Sequence, residues 1–209
     1  MKYPSVFPVF PHLIHCFEIE DFKKIQDQFI DCCYEEENKD PMGVLVSNEG
    51  GWQSHDFYTN KSDLRDNFIV TTLCEHIDNY FSNSTIFRSN FESQVVAMWV
   101  NINREGNLNH KHIHPGADMS GVFYIKIPDD CDCGGLEFSS PNFYIDYKSM
   151  KILKEDVNKE HNHFAAYELL PQEGMGYIFP GHMMHGVKSN KSRQDRISVA
   201  FNILLNSKT

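Results

Sequence analysis

The chain has 209 residues and a formal net charge of −10, from 29 Asp+Glu against 19 Lys+Arg, with 41% hydrophobic and 13% aromatic residues. That composition buries a sizeable core and excludes a disordered or low-complexity chain. The negative balance repels phosphate backbones and argues against nucleic acid as a partner.

The opening stretch, "MKYPSVFPVFPHLIHCF", is broken by Pro4, Pro8 and Pro11 and lacks a charged-then-apolar leader pattern. No apolar run approaches the roughly 20 residues that span a bilayer, so a soluble, cytoplasmic chain with no membrane partner is expected. His12 and His15 fall in a leading strand. Residues 20–36, "EDFKKIQDQFIDCCYEE", place Phe22, Ile25, Phe29 and Cys33 on one helical face. Residues 62–81 place Leu64, Phe68, Leu73, Ile77 and Phe81 on another, with Ser62 as the N-cap. Both faces, with Cys33 and His76, read as core packing.

Beyond residue 90 the texture changes to short strands between turns, expected near 94–103, 108–114, 119–127, 135–138, 164–170, 176–180, 184–188 and 196–204. The polar, charged stretch 139–163 reads as a surface insertion or lid. The expectation is one domain over 1–209, mainly β: N-terminal helices in 1–90 support a sandwich or barrel over 91–206. Six cysteines (Cys16, Cys32, Cys33, Cys74, Cys131, Cys133) show neither a disulfide framework nor paired zinc spacing, which suits a reducing compartment. Cys131 and Cys133 read as surface thiols.

Chemistry concentrates in two places. "HKHIHPG", residues 110–116, puts His110, His112 and His114 on alternate positions, so on a strand His112 and His114 share a face and His110 can join them. His161 and His163 repeat the spacing in a charged loop, so the pair alone is weak. The second place is "GYIFPGHMMHGVKSNKSRQDRISVAFNI", residues 176–203, with His182 in a turn, His185, and a strand on which Arg196, Ser198, Ala200 and Asn202 share one face. A buried arginine there needs an anion, which need not belong to the protein.

The order "HIH…GVFYIKIP…GGLEF…GYIFPGHMMH…RISVAFN" resembles the Fe(II)- and 2-oxoglutarate-dependent oxygenases, in their prolyl-hydroxylase-like branch. A narrower likeness, through "SNEGGWQS" (47–54), "HxHPG" and "SGVFYI", is to a family of such oxygenases from bacteria and phages. The resemblance implies a double-stranded β-helix (a jelly roll, cupin-like) and Fe(II) and 2-oxoglutarate as cofactors, with O2 as cosubstrate. It implies hydroxylation of a C–H bond in a peptide or small-molecule prime substrate, a peptidyl proline being one form.

By the same resemblance His112 and His185 are metal ligands. Arg196 lies 196 − 185 = 11 residues beyond the last histidine and matches the arginine that grips the far carboxylate of 2-oxoglutarate, with Ser198 and Tyr124 as companion contacts. No His-x-Asp or His-x-Glu, the family's pattern, occurs between residues 108 and 120. Either His114 or Asp118 takes the third ligand position, and strand parity favours His114, giving the metal set His112, His114 and His185. Two other readings compete: a non-catalytic cupin-like ligand-binding module, and a three-histidine zinc hydrolase with Glu137 or Asp118 as base.

Overall fold

The computed structural model describes residues 11–58, 67–88, 90–129, 133–160 and 164–208. Before residue 90 it holds strand β1 (His15–Glu18), a 3-10 turn (Phe22–Lys24), helix α1 (Gln26–Lys39), the short strands β2 (Asn48–Glu49) and β3 (Trp52–Gln53), and helix α2 (Phe68–Asn83). Helix α1 buries Phe29 and Cys33 one turn apart; α2 buries Ile69, Val70, Leu73, Ile77 and Phe81. The cap of α2 differs from expectation. Asn67, in an extended conformation, accepts a hydrogen bond from the Val70 amide and starts the helix, and Ser62 lies outside the described residues.

The alternating segments that follow form β4 (Phe91–Asn103), β5 (Leu108–His112), β6 (Met119–Lys126), β7 (Leu136–Ser139), then helices α3 (Phe143–Ile152) and α4 (Glu155–Glu160), then β8 (Ala166–Leu169), β9 (Met175–Pro180), β10 (His185–Val187) and β11 (Arg196–Ser207). The stretch expected as an irregular insertion, 139–163, therefore holds two helices, while His161 and His163 lie outside the described residues.

All strand pairing is antiparallel and gives two sheets, β1-β9-β6-β11-β4-β3 and β2-β5-β10-β7-β8. The fold is a double-stranded β-helix, as expected. The N-terminal region supplies α1 and α2 and also lends one strand to the smaller sheet and two to the larger. Alternation along β11 divides the molecule. Ile197, Val199, Phe201 and Ile203 join Val100, Ile102, Phe123 and Ile125 in a core against Phe29, Leu73 and Ile77 of the helices. The opposite face of the same strands turns toward the smaller sheet. There Val122, Tyr124, Tyr177 and Phe179 pack against Leu136 and Phe138. That inner space is where the candidate residues meet.

Candidate metal centre

His112 ends β5 and lies opposite His185, which begins β10. Over this pairing three residues of β10 (185–187) face four of β5 (109–112), from His185↔His112 to Val187↔Asn109, so β5 carries one extra residue. The bulge reverses parity. Asn109 and His112 both turn inward, while the His110 ring turns out to the surface, its Nε2 2.7 Å from Glu49 Oε2. Of the two roles open to His110, a contact at the site or a solvated ring, the ring takes the solvated one, and its backbone carbonyl accepts from His112 Nδ1 at 2.7 Å. His185 Nδ1 donates in the same way to the Met183 carbonyl at 2.8 Å. Each bond fixes a tautomer whose lone pair is on Nε2.

His114 is not on the strand. β5 ends at His112, and the chain turns so that the His114 amide donates to the Gly181 carbonyl at 2.8 Å. Its ring stacks on Trp99 of β4 at 5.8 Å and brings Nε2 to 3.2 Å from His185 Nε2. One nitrogen from each of His112, His114 and His185 lies within 4.8 Å of the others, the one such cluster able to hold a metal ion among the described residues. Asp118 is occupied elsewhere, its Oδ2 accepting from the Leu205 amide at 2.8 Å. Burial, reinforced by the other two rings, lowers His114 to about 3; burial likewise lowers His185 to about 4, with Met183 opposing and His112 adding. Both are neutral near pH 7, as metal ligation requires. Two nitrogens bound side by side at about 2.1 Å from a metal are ~3 Å apart, so the donor set fits a divalent ion.

His185 also contacts Phe179 at 4.6 Å and Phe138 at 6.1 Å between ring centres. Through these rings the cluster is continuous with the buried Tyr124 and, beside it, Arg196, which is 1% exposed. Arg196 Nη1 donates to the carbonyls of Cys133, Gly134 (3.1 Å) and Lys188 (3.0 Å). Gly134 has φ +78, and a Cβ there would lie 2.3 Å from the Lys188 carbonyl oxygen, so the turn that carries these acceptors admits only glycine. Cys133 is buried, not the surface thiol expected, and Cys131 lies outside the described residues. Ser198 is buried directly opposite Tyr124, whose hydroxyl has no hydrogen-bond partner among the described residues. Burial drives the Tyr124 pKa up, with Arg196 opposing. A buried, neutral phenol beside an arginine and a serine suits a carboxylate.

The remaining histidines stand apart. His55 pairs with Asp40 at 3.5 Å, the His12 ring is 5.7 Å from that of His182, and His15 contacts Tyr80. Neither proposed hydrolytic base is poised. Glu137 is ion-paired with Lys111 (2.6 Å) and Lys188 (3.4 Å), and Lys111 chiefly lowers its pKa. Sequence reasoning passed over Trp99, Asn101 and Gln53, all on the inner face. The signal was present in "WVNIN" (99–103), where polar residues alternate with buried aliphatics in a central strand.

A double-stranded β-helix with three imidazoles at one end of its inner space and a buried arginine in the same space is the framework of a metal-dependent oxygenase. The family model of the 2OG-Fe(II) oxygenases matches residues 97–202, just over half of the 209 residues, and the chain belongs to that family. It is a 2-oxoglutarate- and Fe(II)-dependent oxygenase. The fold is shared with solved structures over most of their length. A prolyl hydroxylase from Trichoplax adhaerens, in complex with a hypoxia inducible factor peptide fragment, is 11% identical over 91% of this chain and 83% of its own, with TM-score 0.60. The carbocyclase SnoK from nogalamycin biosynthesis is 10% identical over 94% and 82%, with TM-score 0.62. HygX from Streptomyces hygroscopicus, solved with nickel and 2-oxoglutarate, is 9% identical over 95% and 83%, with TM-score 0.55. No curated protein matches the chain in sequence. No described helix is long and apolar enough to cross a membrane.

Proposed function

We propose that His112, His114 and His185 hold the Fe(II), that Arg196, Ser198 and Tyr124 hold the far carboxylate of 2-oxoglutarate, and that the prime substrate is hydroxylated at a C–H bond of a peptidyl side chain, proline being one form. The observation that carries the reading is the convergence of three imidazoles within 4.8 Å, two of them with Nδ1 tied to backbone carbonyls. Held by His112, His114 and His185, Fe(II) would activate O2 for the hydroxylation, one oxygen atom going to the substrate C–H bond and the other to succinate as 2-oxoglutarate loses CO2.

The protein's own residues prepare that chemistry. Carbonyls at His110 and Met183 hold two rings in the tautomer that offers Nε2. The Cys133, Gly134 and Lys188 carbonyls anchor one nitrogen of Arg196 and so set the plane of its guanidinium, a rigid fork for a carboxylate. Tyr124 and Ser198 add hydroxyl donors. Val122, Leu136, Phe138 and Phe179 form an apolar cluster with Tyr124 that reaches His185 through the two phenylalanines, surroundings that would keep water from the reacting groups. A peptide as prime substrate is an extension of this reading that the peptide-bound Trichoplax structure supports by analogy; a cytoplasmic setting rests on six cysteines without disulfide spacing.

The test is an anaerobic Fe(II) titration with and without 2-oxoglutarate. A visible iron-to-keto-acid charge-transfer band should develop only when both are present, and should be absent from the His112→Ala protein. A wild-type protein that binds Fe(II) without developing that band would point to the non-catalytic binding module.

A further inference from the structure

Gln53 Oε1 and Asn101 Oδ1 are buried, as is the Tyr124 hydroxyl, and none meets a hydrogen-bond partner among the described residues. These atoms are not scattered. Gln53 on β3 lies opposite Asn101 on β4, Asn101 opposite Ser198 on β11, and Ser198 opposite Tyr124 on β6. Residues directly opposite one another share a face, so the four make one polar row across four strands of the larger sheet. Gln53 is 6% and Asn101 7% exposed. Folding around two carboxamide oxygens without partners is costly, and no packing need explains it.

The row faces the metal centre. Asn101 sits between Trp99, which stacks on His114, and Asn103, whose amide donates to Asn109 of β5 at 3.4 Å. Its carboxamide is therefore turned toward the segment that carries His112. The cosubstrate does not account for the whole row. With strands ~4.8 Å apart, Gln53 is about 10 Å along the sheet from Ser198. A five-carbon diacid with bonds of about 1.5 Å is roughly 6 Å long, so one held at Arg196 and Ser198 and reaching the histidines does not also span to Gln53.

We propose that Gln53 and Asn101 read the prime substrate, and that this substrate presents amide N–H groups to their carbonyl oxygens, as a peptide does. The inference rests on the metal, cosubstrate and peptide readings above and names the residues that recognise the substrate at that site. Both reading groups are neutral, so they favour a neutral partner over a carboxylate or an ammonium. A carboxamide also offers donor and acceptor side by side, the complement of another amide.

Asn101→Leu and Gln53→Met keep side-chain volume and remove the polar atoms. The full-length protein, loaded anaerobically with Fe(II) and 2-oxoglutarate, is titrated calorimetrically with a panel of N-acetylated, C-amidated tripeptides. The tightest binder is then compared with a counterpart in which one ester replaces one amide. Each variant should lose at least tenfold in peptide affinity, and the ester should lose a similar factor on wild type but little on the variants. Affinity for 2-oxoglutarate should stay within about twofold. The metal-free variants should melt about 2–4 °C higher, because a buried, unsatisfied polar group has been removed. A lower melting temperature would make the row a structural element. A tenfold loss of 2-oxoglutarate affinity would make it part of the cosubstrate site, and a wild type that binds 2-oxoglutarate but no tripeptide would reject the peptide class. Wild type failing to bind 2-oxoglutarate would overturn the cosubstrate assignment instead, and the melting shifts, measured without cosubstrate, would still decide whether the row is structural.

Discussion

Replacing His114 and Asp118 by alanine, one at a time, separates the two candidates for the third metal ligand by opposite signatures. His114 contributes a nitrogen 3.2 Å from that of His185, so its removal leaves two donors where there were three. Losing only an outer partner of a metal ligand costs about 10–100-fold in affinity, which sets the floor for losing the ligand itself. Iron content of His114→Ala should therefore fall to a small fraction of wild type. Stability of the metal-free protein should change little, because crowding among three imidazole rings is relieved as the contact with Trp99 is lost. Asp118→Ala removes the acceptor of the Leu205 amide at 2.8 Å but keeps the backbone bonds to Ile203 (3.1 Å) and Gly181 (3.0 Å). A single side-chain hydrogen bond at an exposed position contributes about 0.5–1.5 kcal/mol, or a melting shift of about 2–4 °C per kcal/mol in a chain of this size. Asp118→Ala should thus melt a few degrees lower and keep its iron. Metal analysis of anaerobically purified protein, paired with thermal melts, reads both quantities. Iron lost from Asp118→Ala and kept by His114→Ala would refute the three-histidine assignment and restore a two-histidine, one-carboxylate site with unusual spacing.

Arg196→Lys keeps the charge and loses the fork, so titration calorimetry should show 2-oxoglutarate affinity reduced by about 1.5–3 kcal/mol, roughly 10- to 150-fold, with Fe(II) affinity unchanged; unchanged 2-oxoglutarate affinity would remove Arg196 from the site. Ser139 pairs with Ala166 at the end of the β7–β8 ladder, so residues 141–164 can be replaced by an Asn-Gly turn. That variant should still fold and still convert 2-oxoglutarate to succinate without substrate, while losing coupling to the prime substrate, as expected of a lid; failure to fold would make α3 and α4 part of the core. Acid should destabilise the metal-free protein. His114 and His185 are held at about 3 and about 4 when folded against 6.5 when unfolded, so between those values the unfolded chain binds more protons and stability falls as pH drops from about 6.5 toward 4. Urea midpoints at pH 7.5, 6 and 5 should decrease in that order, and a flat profile would contradict the burial of the two neutral rings.

Much of the fold was legible in the chain because its determinants are local. Alternation of apolar and polar residues marked the eight strands after residue 90 to within a few positions, and a helical period marked Phe29, Cys33, Leu73, Ile77 and Phe81 as core. Parity along β11 put Arg196 and Ser198 on one face, and the register across Ser198↔Tyr124 and Ser198↔Asn101 agrees with it. The cap of α2 was misread because Ser62 and Asn67 are both good caps, and the choice between them depends on where the helix meets the sheet. Parity also failed at one place. An extra residue in β5 turns His110 out and Asn109 in, and His114 reaches the cluster from a turn tied to Gly181. A bulge leaves no trace in local periodicity, since it is set by the partner strand β10, more than 70 residues away in sequence. The row Gln53–Asn101–Ser198–Tyr124 is likewise invisible in any one segment: each residue alone is an ordinary polar position in a strand. Only the hydrogen-bonded register of four strands sets their side chains side by side in a space closed to water, where a carboxamide that would be satisfied at the surface is left with an unfilled hydrogen bond.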